Sequence, residues 1–600
     1  MRNFISFIKE FHFYKKEELS SAIKSFNGKE FAVFTITLIV AFVSMVLLLS
    51  KINNSFMVEV PDEGGTITEG IVGSPTLVNP VIALSDADKD ITSIVYSGLM
   101  RITPEGSFIP DLAESFTISP DGTVYTFFLK QNAKFHDGSS VGVDDIIFTI
   151  NKIKDPIIKS PKKNSWDGVT VTKKNENEIE FTLLRPYISF MDNTTIGILP
   201  SSLWSEVDST EFRVSPLNVK AIGSGPYKIR SVTKNTDGIP VEYKLERFND
   251  FTLGNPHIKN MNIKSFANEK DLIKALTSKL IDQASGLSPE NAKIIEENGY
   301  SINTTTLPRM FGVFFNKSKN KIFADEAVVK AFDYGIDRQN IIDQVLYGYG
   351  KTIHNPVPET IVKSGDNNTL FKNARLDEAR TILDKAGWIV QEDGIRAKGG
   401  SSSTTTTSKV NGKTVKKTVK TNLPLTRLSF SITTGDSKEL KQAATIIKEQ
   451  LGQIGVEVDI KKIYEAGQLN QVIRTRDYEA LFFGQIVNHE SDLFSFWHSS
   501  QINDPGLNIA MYNNKKVDLI LDSTQKNQEE ESRISKYKDL VNEFNNDIPA
   551  LLIYSPEYLY ATSNKLKNID IKNITIQSDR FASIYTWYAN TNHVWKIFTK

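Results

Sequence analysis

Residues 437–460 read SKELKQAATIIKEQLGQIGVEVDI. Leu440, Ala443, Ile447, Leu451 and Ile454 recur at helical spacing, so the stretch 437–454 is expected to form a helix with one apolar face turned to a core. Gly455 suits a left-handed C-cap, and Val456-Glu-Val-Asp-Ile460 then alternates as a strand. Helix, glycine, strand is the rhythm of an α/β layer. The same alternation extends upstream. Thr123–Leu129 (TVYTFFL) and Glu178–Leu184 (EIEFTLL) are rich in β-branched and aromatic residues and read as strands. Asp325–Tyr334 carries Ala327, Val328, Ala331 and Phe332 at helical spacing behind an acidic first turn. Lys398–Thr421 breaks the pattern, since KGGSSSTTTTSKVNGKTVKKTVKT has almost no large apolar residue to offset the entropy of ordering. A flexible excursion is one reading. A solvated β-hairpin turning at Val410-Asn411-Gly412-Lys413 is the other, because Asn-Gly favours a type I′ turn.

With 600 residues, the chain exceeds what a single hydrophobic core serves, so two or more lobes are expected. Basic and acidic residues both total 71, which leaves no global field drawing the protein to nucleic acid. Cysteine is absent, and with it go disulfides, thiolate nucleophiles, zinc–sulfur sites and the lipid-modified cysteine of a lipoprotein.

Phe31–Ser50, FAVFTITLIVAFVSMVLLLS, is 20 uncharged residues. At about 1.5 Å per residue it spans roughly the 30 Å of a bilayer core. Six basic residues precede it, and the acids Glu59, Asp62 and Glu63 follow a lone Lys51. The positive-inside rule therefore places residues 1–30 in the cytoplasm and the bulk of the chain outside. The run is longer than a signal-peptide core and no A-x-A-like site follows it, so an uncleaved anchor is expected.

Signatures of catalysis are missing. The seven histidines form no H-E-x-x-H pattern. Gly350-Lys351-Thr352 lacks the glycine-rich run of a phosphate-binding loop, and Gly223-Ser224-Gly225 is followed by Pro226 where a nucleophile elbow would open a helix. No catalytic residue, cofactor or metal site is assigned.

Several short patterns occur in a fixed order. They are Tyr125 to Lys-Phe135-His136-Asp137-Gly138 with Val143-Asp144-Asp145-Ile146; Gly223-Ser-Gly225-Pro226-Tyr227; and Phe315-Asn316 with Asp325 to Ile336-Asp337-Arg338. Asp377 to Ala-Gly387-Trp388 follows, then Tyr512 with Asp547-Ile548-Pro549. Asp137-Gly138 suits a tight turn, Asp144 is placed to cap the next helix, and the paired glycines with Pro226 permit a close-packed turn. Together the patterns resemble the family 5 extracytoplasmic solute-binding proteins, the oligopeptide- and dipeptide-binding group of ABC transporters. Lys330 stands where that family usually has arginine.

The resemblance implies an α/β, type II periplasmic-binding-protein clamp of two lobes with an extra β-rich domain, here preceded by one transmembrane helix. Lobe I would comprise 60–98, 215–308 and 555–600, with the inserted domain at 99–214. Lobe II would span 309–554 and carry the 398–421 insertion. The implied function is capture of a short peptide or similar solute between the lobes and delivery to an ABC permease and its ATPase, without enzymatic turnover. A membrane-tethered sensor or chaperone-like peptide binder, or an extracytoplasmic peptide hydrolase, are the alternatives. By the resemblance, Gly73, Ser74 and Pro75 would pair with the ligand backbone. Gln485, Ile486, Val487 and Asn488 match the end of a strand after which relatives carry an amine-binding aspartate, with Gln485 at the place of that strand's tryptophan. Asn488 occupies that aspartate's place, so Glu490 or Asp492 would have to supply the charge. Trp497 is read either as cleft wall or as lobe packing. His489 and His498 are read as ordinary histidines before metal or haem contacts.

Overall fold

The computed structural model describes residues 20–21, 24–186, 189–358, 361–362, 373–410, 413–487, 492–526 and 529–598. The chain divides into two compact units, Met1–Asp62 with Asn590–Lys600, and Glu63–Ala589.

The smaller unit holds helix α1, Gly28–Phe56, and a two-stranded antiparallel ladder of β1 (Met57–Asp62) and β23 (Asn590–Trp595). α1 begins three residues before the apolar run because Asn27 is a complete N-cap. Its side chain accepts from the Lys29 and Glu30 amides, and Glu30 accepts from the Asn27 amide at 2.9 Å. No residue of α1 is buried, and the helix is long and apolar enough to cross a membrane. The Thr35 and Thr37 hydroxyls donate to the Phe31 and Val33 carbonyls at 2.8 Å, which leaves neither unsatisfied on an apolar helix. Lobe I was expected to run to residue 600. Instead the last strand pairs with the six residues that follow α1, because the register Met57↔Trp595 to Asp62↔Asn590 satisfies both backbones there.

The larger unit is built on a mixed sheet with twelve strands among the described residues. Its first part contains β2 (Thr66–Val72), β9 (Tyr227–Lys234), β10 (Pro240–Arg247), β11 (Asn260–Phe266), β12 (Gln283–Ser285) and β13 (Ser301–Thr306). β2 lies parallel to both β11 and β12. The second part contains β14 (Arg309–Phe315), β15 (Gly350–Thr352), β19 (Ser429–Gly435), β20 (Glu457–Tyr464) and β21 (Ala480–Ile486). β22 (Ala550–Thr562) belongs to both parts. Its beginning pairs with β14 and its end with β12 and β13.

β14, β21 and β22 read as near-continuous apolar runs because both faces of the second part are buried. Val313, Phe315, Phe482, Leu551 and Ile553 join one core, while Met310, Phe314, Leu481 and Leu552 join the core on the opposite face. The alternation follows the period of two along each strand. The helix expected at 437–454 runs from Lys438 to Gly452. Gly455, at φ +84°, supplies the left-handed turn into β20.

Between β2 and β9 lie a hairpin of β3 (Met100–Ile102) and β4 (Phe108–Pro110), and a sheet ordered β5 (Ala113–Ile118), β6 (Val124–Leu129), β8 (Glu178–Leu183), β7 (Val169–Asn175). This sheet shares one core with β2, β10 and β11. β16 (Ile389–Val390) pairs with β17 (Arg396–Val410), and β17 pairs with β18 (Lys413–Arg427) as far as Val410↔Lys413. Residues 398–421 therefore form a hairpin, although Asn411 and Gly412 at its expected turn lie outside the described residues.

The motifs singled out in the sequence are used for packing. His136 is held between two amides of the glycine turn, its Nδ1 accepting from Gly223 N at 3.3 Å and its Nε2 donating to Gly225 O at 3.0 Å. A Cβ at Gly223 or Gly225 would fall within 2.4 Å of a carbonyl oxygen of Val95 or Ile94, so the loop admits only glycine. Helix Val143–Lys154 is capped by Asp145, which accepts from the Gly142 amide at 2.9 Å and from Ser201 at 2.8 Å. Asp144, expected to do this, sits exposed and pairs with Lys173. Arg338 of the I-D-R motif is fully buried, donating to Leu552 O on β22 at 2.8 Å and pairing with Asp333. Asp325 caps helix Glu326–Gly335 and accepts from Trp388 Nε1 at 3.1 Å, and Asp547 accepts from Tyr512 at 2.7 Å.

Candidate ligand-binding cleft

The two parts of the large sheet are joined where the backbone passes twice. β13 continues through Leu307-Pro308 into β14, and β22 crosses in the other direction at Ser555-Pro556. A few backbone bonds hold the crossing: Leu307 N to Pro556 O at 2.9 Å, Val487 N to Pro308 O at 2.8 Å and Glu557 N to Tyr349 O at 3.1 Å. Pro308 and Pro556 stand at the two crossings and have no amide to donate, although β22 continues through Pro556, which still pairs with Gly350.

A cavity of about 1450 Å³ opens beside this crossing. Thr103, Phe108, Asp192, Thr304–Thr306, Lys572 and Asp579 line one side; Arg309, Met310, Lys351, His354, Val487, Asp492 and Tyr537 line the other. Several charges on its wall are already neutralised. Lys572 bridges Glu105 at 3.1 Å and Asp570 at 2.7 Å. His354 Nε2 lies 2.8 Å from Asp333, whose other oxygen pairs with Arg338. Burial alone would raise the Asp333 carboxyl, but the Arg338 charge and the bonds from His354 and Arg338 outweigh it and hold the group down at about 2. Burial pushes Asp579 the other way, upward, against the amides of Thr575 and Ile576 that bond it at 2.8 Å. By contrast, Arg309 Nε and Thr306 Oγ1 are buried in the wall without a hydrogen-bond partner among the described residues. Buried polar atoms left in this state are the kind that a ligand or ordered water completes.

Of the residues singled out in the sequence, Val487 and Asp492 line the cavity. Asn488, His489 and Glu490 lie outside the described residues. Ile486 is exposed at the end of β21, and Gln485 is buried, donating to Leu507 O at 3.3 Å. Gly73, Ser74 and Pro75 are not brought to the cavity wall: Gly73 follows β2 at φ +96°, and the Pro75 carbonyl accepts from the Tyr243 hydroxyl at 2.9 Å. Trp497 is 1% exposed and stacks among Phe314, Tyr512 and Phe544, so its place is the lobe core rather than the cavity wall. His498 stacks on Phe494 beside Asp518. No group of three or more metal-ligating side chains occurs among the described residues. Sequence reading missed Arg309 and Thr306, which sit at a strand junction that no local pattern marks, and His354, which follows the short strand β15.

The family described as bacterial extracellular solute-binding proteins, family 5, matches residues 107–504. The chain belongs to this family. As a family 5 solute-binding protein it is 25% identical over 518 residues to the oligopeptide-binding protein AppA of Bacillus subtilis, covering 84% of this chain and 89% of that one. The structure of the same B. subtilis protein in complex with a nonapeptide superposes with a TM-score of 0.61, covering 88% of this chain and all of that one at 24% identity. The ABC transporter substrate-binding protein CtaP of Listeria monocytogenes superposes with a TM-score of 0.69 at 22% identity, over 88% of this chain and 100% of CtaP. The fold of this family 5 protein is thus the α/β, type II clamp that the motifs implied, with one apolar helix at its N-terminal end, and its role is that of a solute-binding receptor.

Proposed function

We propose that the chain is the membrane-tethered receptor of an ABC importer, taking up a peptide or peptide-like solute in the cavity beside the crossing strands and delivering it to a permease and ATPase. The observation that carries this is the cavity itself, walled by both parts of a sheet that only two backbone passages connect. Its volume exceeds the roughly 300–1,000 Å³ of ordinary small-molecule pockets, which suits an extended peptide. The oligopeptide-binding name and the bound nonapeptide of the B. subtilis relative support the same solute class. Lobe I would comprise 63–98, 215–308 and 555–589, with 99–214 inserted, and lobe II 309–554. Closure about Pro308 and Pro556 would exclude water and strengthen each polar contact in the cleft.

Within the cleft, we assign to Asp492, which lines the cavity, the holding of a ligand amine, the role that the family resemblance would give to the position of Asn488. Arg309, whose Nε has no hydrogen-bond partner among the described residues, would receive a ligand carboxylate or carbonyl. α1 is the anchor, with its N-terminal end in the cytoplasm and the larger unit outside. The role is binding without turnover.

Native mass spectrometry of the full chain in mild detergent, against a library of short peptides, is the deciding measurement. A co-bound peptide mass is expected, and failure of every peptide to bind would sink the reading. A fluorogenic peptide set should show no cleavage; turnover would favour a hydrolase. Resistance to alkaline carbonate extraction from membranes is expected of the anchor, and release would mean that α1 does not hold the chain in the bilayer.

A further inference from the structure

We propose that the β1–β23 ladder is a lipid-contacting collar, seating residues 595–597 in the headgroup–acyl boundary of the membrane. The proposal rests on the reading of α1 as a membrane anchor. Its occupant is the bilayer surface at the end of α1 from which β1 emerges.

The geometry around Asn53 carries it. Trp595 Nε1 donates to Asn53 Oδ1 at 2.8 Å, and the Asn53 amide nitrogen reaches Met57 Sδ at 3.5 Å. The last residue of β23 is thereby fastened to the last turns of α1. Asn53 lies three residues past the apolar run that ends at Ser50, or about 4.5 Å along the axis. The headgroup layer begins where the hydrocarbon core ends and is about 5–7 Å thick, so the indole is held at interfacial depth. Tryptophan concentrates there because its ring is apolar and its N–H is polar.

The side chains around it match that depth. Phe56 is 59% exposed, Trp595 44% and Ile597 76%, a concentration of large apolar surface unusual for a soluble face. Lys51 lies at the same end of α1 and suits a lipid phosphate. The ladder also grades in polarity. The pairs nearest α1 are Met57↔Trp595 and Val58↔Val594, and the farthest are Pro61↔Thr591 and Asp62↔Asn590. A two-stranded ladder with no buried residue, and no third strand among the described residues, is marginal in water. A lipid surface against its apolar end supplies the missing burial.

The absence of native cysteine allows clean single-site labelling. Ile597→Cys, Met45→Cys and Asn592→Cys variants of the full chain, each carrying an environment-sensitive fluorophore, would be placed in nanodiscs of phosphatidylethanolamine and phosphatidylglycerol. Doxyl quenchers sit near the headgroup in one set of discs and near the acyl end in the other. The expected result is quenching of the residue 597 probe by the shallow quencher, of the residue 45 probe by the deep one, and of the residue 592 probe by neither. Trp595→Ala in the Ile597→Cys background should at least halve the shallow quenching. A residue 597 probe that no lipid quencher reaches, while the residue 45 probe is quenched, overturns the collar and leaves the anchor standing. The same holds if the probe is shielded from aqueous iodide without lipid quenching, which would mean that protein covers it. Loss of quenching at residue 45 overturns anchor and collar together, and unchanged quenching in the Trp595→Ala variant overturns the role given to the indole.

Discussion

Arg580 neutralises two buried acids in the first part of the large sheet. Its guanidinium lies 2.7 Å from Asp90 and 3.0 Å from Glu69, all three are fully buried, and Tyr560 donates to Glu69 at 2.7 Å. Burial raises both carboxyls despite the cation. Removing that cation leaves two uncompensated acids in an apolar core, so Arg580→Met is expected to cost about 3–5 kcal/mol in chemical denaturation. His136 has the opposite logic, since burial drives its pKa down to about 4 against an unfolded value near 6.5. The unfolded chain takes up a proton as pH falls through 6.5 and the folded chain does not until about 4. Stability is therefore lost across that window and no further below it. The loss attributable to His136 is about 3.4 kcal/mol, and it should disappear from the pH profile of a His136→Gln variant. In the cleft, Asp492→Asn should weaken binding of a free-amine peptide by about 1.5–3 kcal/mol in calorimetry and leave its N-acetylated form nearly unaffected. What the sequence shows at this scale is a residue's local habit, not its distant partner. The K-F-H-D-G turn was legible, but the amides that hold His136 come 87 residues later. Asp144 and Asp145 were indistinguishable as caps until Ser201 was brought to one of them.

At the scale of elements, periodicity carried most of the reading. The helix at 438–452, the strands at 124–129 and 178–183 and the left-handed Gly455 all sit within a few residues of where their patterns put them. Elements buried on both faces, such as β14 and β22, were harder, because a continuous apolar run has no alternation to read. Trp497 shows the same limit: an aromatic near a cleft strand reads equally as wall or core, and only its packing on Phe314 and Phe544 decides. Asn-Gly chemistry correctly raised a hairpin at 398–421, while the polar composition argued against order. Both facts fit a ladder of backbone pairs between β17 and β18. Excising residues 400–423 and joining the strands with a short turn should therefore change unfolding free energy by no more than about 0.5 kcal/mol and leave peptide affinity unchanged.

For the whole molecule, the joint order of the motifs revealed the fold, yet almost none of the motif residues lines the cavity. Arg338, Asp325, Trp388 and Asp547 lock elements together, and the cavity wall is drawn from less patterned positions such as Thr306 and Arg309. A solute that binds across the crossing strands must stabilise both cores at once. At a hundredfold excess over Kd, it should add about 2.7 kcal/mol to unfolding and reduce the radius of gyration in small-angle scattering. Unchanged dimensions on saturation would argue for a rigid cleft.

The continuity of β22 has a consequence for how the protein is made. The sheet that starts with β2 cannot gain its neighbour for β12 and β13 until residues 550–562 have emerged, and Glu69 waits 511 positions along the chain for Arg580. Throughout synthesis the early segments carry open strand edges and an unneutralised acid pair, so the first lobe matures last.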